Sequence, residues 1–228
     1  MINCCDCPFV DLLQRRILFC RSAPAAMGTP EISDQTAVTK SESPIVVIYA
    51  HPTPGHSRVN RPLAEALASQ PHVDVRDLYR RYVDYDIDVV AEQRALAAAD
   101  TVVLQYPVHW YNVPPLLKLW LDEVLEYGWA YGPGGTGLRG KSMLAVASTG
   151  GTFDSYGPEG NHGHPIEAFL LPLEQTARLC GMDWLPPLVL HDADNTDAQV
   201  LAEHIAHVCR RIGAHGDGQE AAGAEVRA

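Results

Sequence analysis

Apolar residues arrive along this chain in two rhythms. One is a short, almost unbroken run rich in β-branched residues, seen in 45-IVVIYA-50, 101-TVVLQY-106 and 143-MLAVAS-148. Runs of that length suit strands buried on both faces. The other rhythm has period 3.6. It is clearest in 114-PPLLKLWLDEVLEYG-128, where Leu117, Trp120, Leu121, Val124 and Leu125 form one stripe. The prolines at 114 and 115 suit the first turn of that helix, and Asn112 stands where it can cap it. Reading both rhythms through the chain predicts strands over 45–50, 73–78, 101–106, 143–148 and 185–190. Between them it predicts helices over 58–69, 88–100, 114–128 and 166–180, with a last one over 197–212.

Strands alternating with helices make βαβ units, whose right-handed crossovers cover both faces of a parallel sheet. The fold class is therefore α/β, a doubly wound five-stranded parallel sheet of order 2-1-3-4-5. In such a sheet ligands sit beyond the carboxyl ends of the strands, at the switch point between strands one and three. That rule selects the loops 50–60, 107–113 and 149–165.

The predicted elements occupy residues 44–213. The leader 1–43 lacks sustained periodicity, and 28-GTPEISDQTAVTKSESP-44 is polar and turn-rich, so it is expected to be disordered. Met27 precedes that polar run, and an alternative translation start there would leave residues 1–26 unmade. The tail 214–228 is expected to fray. Cys4, Cys5, Cys7 and Cys20 crowd the leader, and Cys4 with Cys7 has a spacing that could hold zinc or act as a redox pair. The plainer reading is a run of reduced thiols, and cytoplasmic residence fits it. Net charge is −11, which argues against nucleic acid as a partner. No run of about 18 apolar residues proposes a membrane span.

One motif misleads. Residues 135-GTGLRGKS-142 match G-x-x-x-x-G-K-[ST], but they follow a helix and lead into a strand. A phosphate-binding loop needs the opposite order. The stretch 49-YAHPTPGHSRVN-60 has the right order. A helix entrance offers free N–H donors and a partial positive charge to a phosphate. His51, Ser57 and Asn60 can add side-chain contacts, or Ser57 can act as a plain helix cap. In 107-PVHWYNVP-114, Trp110 and Tyr111 can stack on a flat ring or pack helix on sheet. In 148-STGGTFDSYGPEGNHGHP-165, Gly150 and Gly151 permit close backbone approach. Tyr156 and His162 then offer a phenol and an imidazole for proton handling, or an ordinary polar loop. His162 and His164 could also be read as metal ligands, but no matching acidic or cysteine partner completes a set, so no metal is assigned. Phosphate cradle, aromatic loop and glycine loop around one crevice point to FMN.

The segments 49-YAHPTPGHSRVN-60, 107-PVHWYNVPPLLKLWLDEV-124, 127-YGWAYGPGGTGLRGK-141, 148-STGG-151 and 180-CGMDWLPP-187 carry a resemblance. From about 44 to 212 the chain resembles the flavodoxin-like NAD(P)H:quinone oxidoreductases. Within them it is most similar to the ancillary flavoproteins of the glutathione-gated potassium-efflux system, the KefF and KefG type. The resemblance implies FMN bound by His51, Ser57, Arg58, Val59 and Asn60, with Val108, His109, Trp110, Tyr111, Ser148, Thr149, Gly150 and Gly151 around its ring system. It implies Tyr156 and His162 as catalytic residues, and ping-pong transfer in which NADH or NADPH delivers hydride and a quinone then takes it. It implies a homodimer, for which 114–126 and Trp129–Tyr131 are candidate contacts. It implies docking on a K+/H+ antiporter at the cytoplasmic face of the inner membrane. A regulatory subunit with incidental turnover, an azo or nitro compound reductase and, from 135–142, a nucleotide hydrolase are the competing readings.

Overall fold

The computed structural model describes residues 45–216. The leader, with its four cysteines, and the chain from 217 lie outside the described residues. Strands β1 (Ile45–Tyr49), β2 (Val73–Asp77), β3 (Thr101–Pro107) and β4 (Ser142–Ser148) pair in parallel in the order β2-β1-β3-β4. Every residue of β1 and β3 is buried, as strands covered on both faces must be.

The fifth strand is broken. β5 (Asp183–Trp184) and β6 (Leu188–Leu190) both lie against β4, but in registers one residue apart: Met143 opposes Trp184 and Val146 opposes Leu188. Three residues, 185-LPP-187, thus face two on β4. Pro186 and Pro187 have no N–H for the ladder, so the strand read as continuous over 185–190 bulges at this point.

Helices α1 (Asn60–Ala68), α3 (Val89–Ala98), α4 (Pro115–Val124), α5 (Ile166–Leu179) and α6 (Ala198–Gly216) match the expected ones. Alternate residues of β1 separate two cores. Ile45 and Val47 pack with Leu63 and Leu67 of α1 and with Val208 and Ile212 of α6. Val46 and Ile48 pack with Leu96, Leu117, Trp120 and Leu170 from α3, α4 and α5. The result is the doubly wound sheet the periodicity implies.

Three local expectations fail. A short helix, α2 (Leu78–Arg81), begins where strand two was expected to end, because the Asp77 carboxylate accepts from the Arg80 N–H at 3.2 Å and caps it. Asn112 does not cap α4; its Oδ1 accepts from the next residue, Val113, at 2.8 Å, and Pro114 is the cap position. That helix also stops at Val124, whose carbonyl accepts from Gln93 Nε2 at 3.0 Å. The chain then enters a glycine-rich loop in which Gly128, Gly132 and Gly134 have positive φ. The segment 135–142 uses its donors internally. Gly137 N–H goes to Trp129, Gly140 N–H to Gly181, and Lys141 Nζ to the carbonyls of Ala97 and Ala99 at the end of α3. A lysine capping a helix C-terminus accounts for the motif without a phosphate.

Candidate cofactor site

At the carboxyl edge of β1, β3 and β4 the three selected loops converge on one crevice of about 370 Å³. His51, Ser57, Arg58, Val59 and Asn60 line one side, Val108 and His109 another, and Ser148, Thr149 and Gly150 a third. A fourth wall, Ala193 and Asp194, comes from the loop after β6 and was missed by the sequence reading. Its signal was positional: a loop leaving the strand beside β4 must border the loop leaving β4.

The entrance of α1 explains the odd composition of 49–60. A helix leaves its first N–H groups without intrahelical acceptors. Here Pro62 has none to leave, and the Arg61 N–H is taken by Ser57 Oγ at 2.9 Å. The N–H groups of Arg58, Val59 and Asn60 remain, at residues that line the crevice. Ser57 is therefore not the cap residue, a position Val59 holds, yet from two residues earlier it satisfies one first-turn N–H. His51 Nδ1 accepts from the Thr53 N–H at 3.2 Å, which leaves Nε2 as the donor. Burial, helped by the nearby His109, lowers the His51 pKa, so the ring is neutral when the crevice holds no anion. Asn60 is less free than its position suggests. Its Nδ2 donates to Ser148 Oγ at 2.6 Å inside the protein. Arg58 reaches across the opening to the Asp194 carbonyl at 2.6 Å.

Trp110 and Tyr111 do not line this crevice. They form the two central positions of a tight turn in which His109 and Asn112 exchange main-chain hydrogen bonds of 2.9 and 3.0 Å. Both have positive φ, 47° and 63°. Trp110 is 92% exposed. Tyr111 stacks on Phe169 of α5, with centroids 4.9 Å apart, and borders a second, more apolar cavity of about 310 Å³ with Val108. Tyr111 thus packs on α5 while staying 44% exposed, which is not the burial expected of a residue packing helix on sheet.

Tyr156 and His162 come together. Their rings stack with centroids 4.3 Å apart, and His162 Nδ1 lies 3.3 Å from the Tyr111 hydroxyl. Tyr156 is buried, which pushes its phenol pKa up against a smaller opposing effect from Thr149, so it keeps its proton. A Cβ on Gly151 would lie 2.7 Å from Ser155 Oγ and 2.9 Å from His162 Nε2, so any side chain there forces Ser155 and His162 to move. Gly150 needs no such room; a Cβ there would meet nothing closer than Asp194 at 3.9 Å, in the open crevice. His191 completes the group, with Nδ1 3.0 Å from Thr149 Oγ1 and its ring 5.4 Å from that of Tyr156.

The donor set suits a phosphate monoester, since uncommitted helix N–H groups, a hydroxyl, an imidazole N–H and an arginine meet at one end. The size and the glycine-flanked wall suit a flat ring beyond it.

Comparison with known proteins agrees with this geometry. A family model described as flavodoxin-like fold matches residues 43–212. The ancillary protein KefF of the glutathione-regulated potassium-efflux system of Klebsiella aerogenes is 50% identical over 168 residues, 74% of this chain and 94% of that protein. Among solved structures, a chain from a thermophilic tryptophan halogenase crystal of Streptomycin violaceusniger is 40% identical with TM-score 0.71, covering 73% of this chain and 97% of that one. General stress protein 14 from Treponema denticola, in complex with FMN, is 36% identical with TM-score 0.68, covering 76% and 98%. An NADPH-quinone reductase from P. pentosaceus is 26% identical with TM-score 0.67, covering 73% and 96%. With nearly the whole length of KefF matched at half its positions, this chain belongs to the flavodoxin-like family and, within it, to the KefF ancillary proteins of the glutathione-regulated potassium-efflux system.

Proposed function

We propose that this protein is an FMN-dependent NAD(P)H:quinone oxidoreductase that also serves a glutathione-regulated K+/H+ antiporter as its ancillary subunit. The observation that carries the reading is the entrance of α1, whose uncommitted N–H groups at Arg58, Val59 and Asn60 open onto a crevice at the sheet's switch point. When bound, FMN supplies two-electron chemistry, taking hydride from a nicotinamide and giving it to a quinone in turn. The chain's own residues bind and orient. Ser57, Arg58, Val59 and Asn60 with His51 hold the phosphate. Val108, His109 and Ser148 to Gly150 hold the ring system, and Trp110, Tyr111 and Gly151 shape the place where substrates approach it. Tyr156, protonated at neutral pH, donates to the oxygen on which a quinone's charge develops, and His162 beside it resupplies the proton.

The reading includes a homodimer. Its support is the apolar cavity between α4 and α5 together with the exposed Leu171 and Leu179 on α5. The apolar stripe of α4 is not available for it, because Leu117, Trp120 and Val124 are buried in the chain's own core. No helix among the described residues is long and apolar enough to cross a membrane. With a net charge of −11, attraction to an anionic lipid surface is not what brings it to the inner membrane's cytoplasmic face. The antiporter itself is the attachment.

The test is an absorbance spectrum of the purified protein, followed by anaerobic NADPH and then a quinone. Flavin bands near about 375 and 450 nm that bleach and return are expected. A protein that stays colourless after FMN is supplied overturns the reading. Because KefF relatives are named for an ancillary role, a second reading treats turnover as incidental. Potassium efflux in vesicles containing the antiporter separates the two. Under the first reading Tyr156→Phe impairs activation together with turnover; under the second, activation survives.

A further inference from the structure

Gln105 stands near the carboxyl end of β3, a strand of otherwise apolar or small residues, and is completely buried. It does not line the crevice. Its Nε2 donates to the main-chain carbonyl of Asn60, the first residue of α1, at 2.6 Å. The Asn60 side chain in turn donates to Ser148 Oγ, at the end of β4, at 2.6 Å. The first residue of α1 is thus held from two neighbouring strands, by its main chain through Gln105 and by its side chain through Ser148. The other half of the Gln105 carboxamide is idle: Oε1 has no partner. Burying an unpaired acceptor costs the fold free energy that an apolar residue of the same shape would not. The half that is paired acts on the helix entrance.

We infer that Gln105 is a positioning residue for the phosphate end of the crevice, fixing the depth and direction of the N–H groups at 58–60 without touching the ligand. This rests on the reading of that end as the FMN phosphate site. Charge-assisted hydrogen bonds are sharply directional, so a helix entrance released from β3 loses phosphate affinity while ring contacts from 108–109 and 148–150 persist.

The experiment compares FMN with riboflavin, which lacks the phosphate, by fluorescence titration of the full-length apoprotein. Gln105→Met keeps shape and removes the donor. FMN affinity is expected to fall about tenfold, the scale of one well-made hydrogen bond to the cradle, with riboflavin affinity unchanged. A parallel loss of both ligands, or of neither, overturns the inference. Gln105→Glu provides a second readout should the methionine variant fail to fold. Its protonated acid can still donate to Asn60, so its FMN-to-riboflavin ratio matches wild type at about pH 5 and drops below it at about pH 8. A ratio that tracks wild type at both values also overturns the inference. Failure of the wild-type protein to prefer FMN over riboflavin at all would instead sink the phosphate reading itself.

Discussion

Arg76 and Glu92 meet inside the protein as a bidentate pair, with Nε to Oε2 at 2.8 Å and Nη2 to Oε1 at 2.6 Å. The same carboxylate accepts from Trp120 Nε1 at 3.0 Å and from the Tyr82 hydroxyl. One fully buried group therefore ties β2, the end of α2, α3 and α4 together, and α4 carries the 107–114 loop on its leading end. Glu92→Ala leaves the buried Arg76 with only the half-exposed Asp74, at 3.2 Å, as a partner, and is expected to destabilise the fold by about 3 kcal/mol, read by urea unfolding. Replacing both partners by apolar residues of similar volume is expected to recover most of that loss.

The pair also sets an acid limit. Burial alone would raise the Glu92 pKa, but Arg76, Tyr82 and Trp120 together hold it below the ordinary glutamate value. A depressed native pKa contributes stability that is complete above the unfolded-state value of about 4.3 and is lost as pH falls through the lower native one. Wild type is therefore expected to lose unfolding free energy below about pH 4 more steeply than a Glu92→Gln variant, which carries no such proton linkage.

Neither feature was visible in the sequence, and the reason is physical. Glu92 and Arg76 are charged residues in segments read as a helix and a strand, and charge in such segments usually faces water. Only the sheet order brings β2 beneath α3 and closes the pair. The fold itself was legible because β1, β3 and β4 are short apolar runs with no competing periodicity. The split at Pro186 and Pro187 was written in the sequence too, as two residues unable to donate to a ladder. The lining of the crevice was legible where a rule of topology applied, at His51, Ser57 to Val59 and Ser148 to Gly150. It was not where a strained turn decides direction, as at Trp110, nor where a side chain is committed within the protein, as at Asn60.

Ser57→Asp separates folding from binding. The Ser57 hydroxyl accepts from the Arg61 N–H in the first turn of α1, and an aspartate carboxylate can accept from it equally well. The variant is expected to unfold within about 0.5 kcal/mol of wild type. Its carboxylate would stand against the phosphate, and like charges there repel. The purified variant is expected to contain no flavin by its absorbance ratio. Stoichiometric flavin in that protein would remove Ser57 from the cradle.

His51 makes flavin binding depend on pH. Its pKa is lowered by burial and by His109, and a phosphate held beside it would raise it. A group whose pKa is higher in the bound state strengthens binding below its free value, and the gain fades as pH rises through the bound one. FMN affinity is expected to fall with rising pH more steeply in wild type than in His51→Gln, with calorimetry in two buffers showing proton uptake only when His51 is present.

The turn at 109–112 holds Trp110 and Tyr111 at positive φ, where side chains with a Cβ are strained. This is the geometry in which hairpin turns favour Asn-Gly. Tyr111 is retained by its stacking on Phe169, but Trp110 packs against nothing that compensates, being 92% exposed. Strain at an exposed aromatic beside a cofactor crevice is the pattern expected where function outweighs stability. Trp110→Asn is expected to raise stability by about 1 kcal/mol in thermal or urea unfolding, since asparagine tolerates this backbone region. The same change is expected to lower kcat/KM for quinones by about tenfold, because the ring that shapes their approach is gone, while FMN content stays at wild-type level. A Trp110→Asn protein less stable than wild type would show that the indole holds the turn, and an unchanged kcat/KM would remove it from the substrate site.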